Sequence, residues 1–256
     1  MPTIFGWGIG LSDIRVTLEN GTTRDCLQKV YPLGHFMLGG FAGSVRIGFA
    51  MIDALSALLG VAPPDQAWDP LEVANWLPAD LRNIFSGFPE SDQDHQLHFM
   101  TIAAHPTQNA GDAPWARTYG HIFRSPYFEP VTVGRIDSIG SGATIDPCKA
   151  EIEKLLADDD LMFSLMQLMT LGAGAAAQAL ALDISKLLEN VKPNGISPHL
   201  HIGVVSRGLG AIFANDRTEF GSDGPIEFKM PPVARSWSEL VAMLEADGES
   251  AAGCLA

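Results

Sequence analysis

Between residues 24 and 59 the sequence RDCLQKVYPLGHFMLGGFAGSVRIGFAMIDALSALL changes its hydrophobic period at Gly43. Ahead of that glycine, 26–33 and 35–42 are short runs rich in Val, Tyr, Phe and Leu around a Pro-Leu-Gly turn, which predicts two strands. Beyond it, Val45, Phe49, Ile52, Leu55, Leu58 and Leu59 recur at helical spacing, which predicts a helix over 43–59. The first strand carries one ammonium group, Lys29, in an apolar run. Asp13 lies sixteen residues earlier, and a structural ion pair spanning two strands is the reading of these two residues that involves no chemistry.

The remaining chain falls into blocks. Strand signal occupies 4–18 and is closed by the ENGT turn at 19–22, where Asn-Gly accepts positive φ cheaply. Asp69-Pro70 starts a second helix with Pro at its favoured first position, running to about 85 with a break expected near Pro78. Strands follow at 96–104, 115–124 and 128–139, then helices at 145–157 and 161–191. Strands at 200–206, 210–214 and 226–229 precede a last helix at 236–246, opened by the capping box SWSE. Residues 247–256 read as a frayed tail. Hairpin blocks imply antiparallel sheets, and the helix pairs after them imply cover on the outer faces. The expected fold is α+β, a four-layer αββα sandwich in a single domain over 1–246.

Charge narrows the partners. Sixteen Lys+Arg against thirty Asp+Glu give a net charge of −14, a surface that repels nucleic acid and anionic membranes. Three cysteines, Cys26, Cys148 and Cys254, are widely spaced and fit free thiols in a reducing cytoplasm. The opening MPTIFGWGIGLSD lacks the basic start and apolar core of an export signal. The apolar stretch at 161–182 has an Asp-rich approach and an aspartate exit, which favour a buried helix over a membrane span. A cytoplasmic location is therefore expected. No cofactor is expected: GAGAAAQALAL lacks the Lys-Ser/Thr of a phosphate loop, and GWGIG matches no dinucleotide fingerprint. His95/His98 and His199/His201 have metal-ligand spacing but no third ligand, so no metal is expected.

Asp13 in LSDIR, Lys29 in LQKV, Gly43 in GGFAGS and Ser141 in the later SIGSGAT combine with this element order into a recognisable pattern. It resembles the proteasome β-subunits and the related HslV peptidases, which are N-terminal-nucleophile (Ntn) hydrolases. The resemblance covers most of the chain by element order and these few residues by motif. It implies a threonine-type peptidase in which a first-residue Thr hydroxyl attacks a peptide carbonyl. The α-amino group of that residue, with a pKa of about 7.7–8.0, accepts the proton. Lys29 would lower the pKa of groups beside it, with Asp13 holding the ammonium in place and Arg15 in support. The Gly43 N–H would be the oxyanion donor, worth about 3–4 kcal/mol, and Ser141 would join the hydrogen bonds around the terminal amine. The resemblance also implies a homo-oligomeric ring, peptide or protein substrates and an ATPase partner.

Two features depart from the family pattern. Aligning Asp13 puts the family's first residue ahead of Met1, and the nearest threonine, Thr3, would follow Pro2 after Met removal. In ENVKPNGISPHL, Asn190 and Asn194-Gly195 stand where family members carry an aspartate and a Ser-Gly turn. The sequence thus leaves three functions open: a peptidase, a catalytically inactive scaffold that binds a peptide or partner, and a small-molecule amidase.

Overall fold

A computed structural model describes residues 8–34, 36–60, 70–104, 118–134, 137–140, 146–169, 171–191, 196–206, 209–221 and 224–256. The fold is mixed α+β with antiparallel sheets. The N-terminal strand signal becomes β1 (Gly8–Asp13) and β2 (Arg15–Thr17), and β2 pairs with β3 (Thr23–Asp25). Between these last two, Asn20 Oδ1 accepts from the Thr22 N–H at 2.9 Å, the Asx turn expected of an ENGT sequence. Next come β4 (Val30–Gly34), β5 (Met37–Ala42) and the helix α1 (Val45–Leu59). Lys29 therefore lies just ahead of β4, not within the strand expected over 26–33. The physical reason is that residues 26–28 bond elsewhere: the Cys26 and Leu27 N–H groups donate to the Ile14 carbonyl, and Gln28 N–H to Ala234.

The helix α2 (Pro70–Ser86) runs through Pro78 where the sequence predicted a break. Leu77 and Leu81 are fully buried on either side of it; their burial offsets a proline cost of about 3 kcal/mol. A short α3 (Glu90–Gln93) leads to β6 (His98–Ala104) and β7 (Thr118–Arg124). Of the strand expected over 128–139, the described residues form only β8 (Val131–Thr132), and its expected start is lost where Phe128 turns the chain with φ 54°. After α4 (Asp146–Leu155), the single helix expected over 161–191 is two, α5 (Asp159–Met169) and α6 (Ala173–Val191). Gly172 lies between them with φ 129°, a non-helical conformation that glycine adopts without strain, and its carbonyl accepts the opening bond of α6 from the Ala175 N–H at 3.1 Å. The chain finishes with β9 (Leu200–Ser206), β10 (Leu209–Ala214), β11 (Arg217–Gly221), β12 (Gly224–Phe228) and α7 (Trp237–Ala246). Ser236 caps α7, its Oγ accepting from the Glu239 N–H at 3.2 Å. The strand β11 was not expected; it forms a hairpin with β12.

Two larger sheets position the site, one five-stranded in the order β4-β5-β6-β7-β8 and one three-stranded in the order β1-β9-β10. Alternation along the strands sends side chains to three apolar clusters. Leu33, Phe41, Phe99 and Phe123 pack with Phe49 and Leu55 of α1, Leu77 of α2 and Leu240 of α7. Val30, Leu38 and Ile102, on the other face of the five-stranded sheet, meet Val205 of β9. Ile9, Ile202 and Val204 meet Leu165 of α5 and Leu180 of α6. Among the described residues, no helix is long and apolar enough to cross a membrane.

Residues 247–256, read from the sequence as a frayed tail, are bonded to the body of the fold. Glu249 pairs with Arg24 at 3.0 Å, and Ala251 and Cys254 are buried in the cluster beneath α1 and α7.

Candidate functional site

Asp13 closes β1 opposite Leu200 of β9, and Lys29 stands just ahead of β4, so the ends of the two larger sheets bring them together. Lys29 Nζ donates to Asp13 Oδ1 at 2.6 Å, and the two side chains are only 10% and 14% exposed. The second oxygen, Asp13 Oδ2, accepts from the Ser197 backbone N–H at 3.3 Å. Ser197 is completely buried, and its hydroxyl donates to Asp25 Oδ2 at 2.7 Å. Asp25 in turn takes Arg15 Nε at 2.8 Å and Nη2 at 3.2 Å, the two-pronged geometry that favours Arg over Lys. Two cations and two carboxylates thus form one connected group through a single serine.

The charges respond accordingly. Burial alone would raise the Asp25 carboxyl, but the hydrogen bonds from Arg15 and Ser197 and the Arg15 charge hold it below the usual carboxylate range. Arg15 is held above its ordinary value chiefly by its hydrogen bond to Asp25, against an opposing burial contribution. Burial pushes the Cys26 and Cys254 thiols up to about 11, which keeps both as thiols at neutral pH.

Beside this group opens a cavity of about 260 Å³, lined by Asp13, Lys29, Gly40 and Met100 and by Leu255 and Ala256. Gly43 lies next to it with φ 106°, and a Cβ there would overlap the Gln96 carbonyl oxygen. Only glycine satisfies both conditions. The Gly43 N–H donates to the Ala256 carbonyl at 2.7 Å, and the Gly43 carbonyl accepts from the Ala256 N–H at 2.9 Å. On the opposite flank Thr17 exchanges two bonds with Leu255, at 2.8 and 2.9 Å, and the Val45 N–H donates to Cys254 at 3.1 Å. Residues 254–256 therefore lie as an extended strand between Thr17 and the 43–45 turn.

Of the residues singled out from the sequence, the structure brings Asp13, Lys29 and Arg15 to one cavity, and Gly43 follows Ala42 of its lining. From SIGSGAT, Ile139 and Gly140 line the same cavity, whereas Ser141 lies outside the described residues, as does Thr3. The pair His199/His201 does not converge on a site. His199 stacks on Phe228 with ring centroids 4.3 Å apart. His201 is buried within β9, and its Nδ1 has no hydrogen-bond partner among the described residues. Asp25, Ser197, Thr17 and the 254–256 strand were missed. A faint signal existed for Asp25, which lies ten residues from Arg15 across the Asn-Gly turn and so faces it in a hairpin. Ser197 carried none, since both of its carboxylate partners lie more than 170 positions earlier in the chain.

No family model matches the chain, and no curated protein matches it.

Proposed function

We propose that the chain is a proteasome-like Ntn-hydrolase-fold protein whose cleft binds an extended peptide as an added strand. On this reading Lys29 supplies the positive charge beside the peptide's carbonyl. The observation that carries the reading is the set of backbone bonds on both flanks of residues 254–256. Thr17, Gly43 and Val45 offer donors and acceptors to an extended chain, the physics of strand addition, and they do so next to the Lys29–Asp13 pair. The order of the apolar clusters supports a four-layer αββα sandwich: helices, five-stranded sheet, three-stranded sheet, helices.

In the peptidase form of this reading, the peptide carbonyl on the Gly43 N–H is the one attacked. On this reading the same N–H donates to the oxygen on which oxyanion charge develops. The ammonium of Lys29 favours the unprotonated form of an amine or hydroxyl nucleophile beside it. Asp13, braced by Ser197, keeps the ammonium oriented. A second reading, a scaffold that binds without cleaving, is favoured by the closed pairing of Lys29 with Asp13, which leaves that charge neutralised in place. A homo-oligomeric assembly, and an ATPase as its partner, belong to the same proposal.

Intact-mass measurement with a hydroxyl-reactive peptide electrophile at millimolar concentration, enough to compete with residues 254–256, separates the two. A single adduct on the chain, lost in Lys29→Ala, supports the peptidase. Saturable peptide binding with no adduct supports the scaffold. Neither binding nor adduct sinks the peptide-cleft reading altogether.

A further inference from the structure

The strand in the cleft belongs to the chain itself, and its hold there is built from several independent parts. Arg24 ties Glu249 at 3.0 Å. Gly253, with φ 68°, turns the chain toward the cleft, and Cys254 is buried in the main apolar cluster at 4% exposure. Beyond these anchors, Leu255 and Ala256 enter the cleft and line the cavity beside Lys29 and Asp13. The Ala256 carbonyl takes the Gly43 N–H, the donor that any other peptide would need, and Leu255 uses both backbone groups of Thr17.

We infer that residues 254–256 are a built-in occupant of the peptide cleft and hold it closed to other peptides until they leave. This rests on the peptide-cleft reading above and adds to it a competition within one molecule. Several consequences follow from the geometry. The occupant contributes no charged side chain, only Cys254, Leu255 and Ala256, so the incoming ligand that replaces it most directly is an uncharged extended peptide. It meets the Gly43 donor with a small residue and the Thr17 position with a larger aliphatic one. Because the occupant is tethered, its effective concentration is in the millimolar range, which masks a micromolar ligand by orders of magnitude. Release requires Cys254 to leave the apolar cluster, so opening is coupled to loosening beneath α1 and α7.

The test measures binding of a fluorescent, C-terminally amidated heptapeptide copying residues 250–256, with serine replacing Cys254. Its proteins are the full chain, the chain cut after Ser250, and the Thr17→Cys/Leu255→Cys variant. Thr17 and Leu255 exchange both backbone bonds, so their Cα atoms are about 5.5 Å apart, within reach of a disulfide. Cys26 and Cys254, both buried and held as thiols, do not compete for oxidation, and Cys148 is replaced by serine in this variant. The expected result is one peptide per chain on the cut protein, at least tenfold tighter than on the full chain. The oxidised double-cysteine variant should take up no peptide, and reduction should return it to full-chain behaviour. Equal affinity for cut and full chains overturns the inference while leaving the cleft reading intact. A folded cut chain that binds no peptide overturns both. Should the cut chain fail to fold, the oxidised and reduced forms decide: equal binding in the two refutes the inference.

Discussion

Removing the Lys29 charge is the perturbation whose outcome depends most directly on the geometry of the site. In Lys29→Met the aliphatic stem is kept and the ammonium is lost, leaving the Asp13 carboxylate 14% exposed with the Ser197 N–H at 3.3 Å as its remaining bond among those described here. Two unit charges about 4 Å apart attract by about 4 kcal/mol at an effective dielectric of 20, and much of that is cancelled by the cost of removing both from water. Breaking the pair from one side leaves that cost uncompensated, so Lys29→Met and Asp13→Ala should each destabilise by about 3–5 kcal/mol. For a chain of this size that corresponds to a fall in Tm of roughly 6–20 °C. The double variant removes both charges and should cost less than the sum of the two by about 2 kcal/mol or more. Urea unfolding at neutral pH, followed by circular dichroism, reads all four proteins. Additivity to within about 0.5 kcal/mol would refute the claim that Lys29 and Asp13 act as a pair.

Three further outcomes follow from the structure. His201 is buried, and burial first, then the Arg235 charge, lowers its imidazole to about 4 against the opposing Asp216. The unfolded chain takes up that proton near pH 6.5 and the folded chain only near 4, so this residue's contribution to stability falls as pH drops through that window. The loss is about 3 kcal/mol by pH 4, and His201→Gln should flatten that part of a stability-versus-pH curve. Ser197→Ala removes the hydroxyl that Asp25 accepts and should cost about 1.5–3 kcal/mol, as expected for a bond to a charged group. The Asp25 carboxyl should then titrate higher, as NMR of the side-chain carboxyl carbon would show. Gly43→Ala must combine positive φ with a clash against Gln96; it should destabilise by at least about 2 kcal/mol and weaken peptide binding, measured by thermal melting and fluorescence anisotropy. A normal melt for that variant would mean that the 43–45 turn is not built as described.

The sequence by itself determined the local elements wherever one period dominated. The β5-to-α1 switch at Gly43, the capped α7 and the Asn-Gly turn were legible because each depends on residues a few positions apart. The Lys29–Asp13 partnership was also legible, through the spacing of the two residues and the family pattern it resembles. Tertiary packing decided what propensity could not. Burial of Leu77 and Leu81 carried α2 through Pro78, and one positive φ at Gly172 divided a stretch whose apolar pattern is continuous. The rest of the site was decided by residues distant in the chain. Ser197 links Asp13 and Asp25 from more than 170 positions away, and residues 254–256 meet Thr17 and Gly43 from the far end of the sequence. The tail residues read as frayed because local composition is all a sequence window sees. They are held instead by the Arg24–Glu249 pair, by buried Ala251 and Cys254, and by backbone groups of a cleft that exists only once the two sheets have come together.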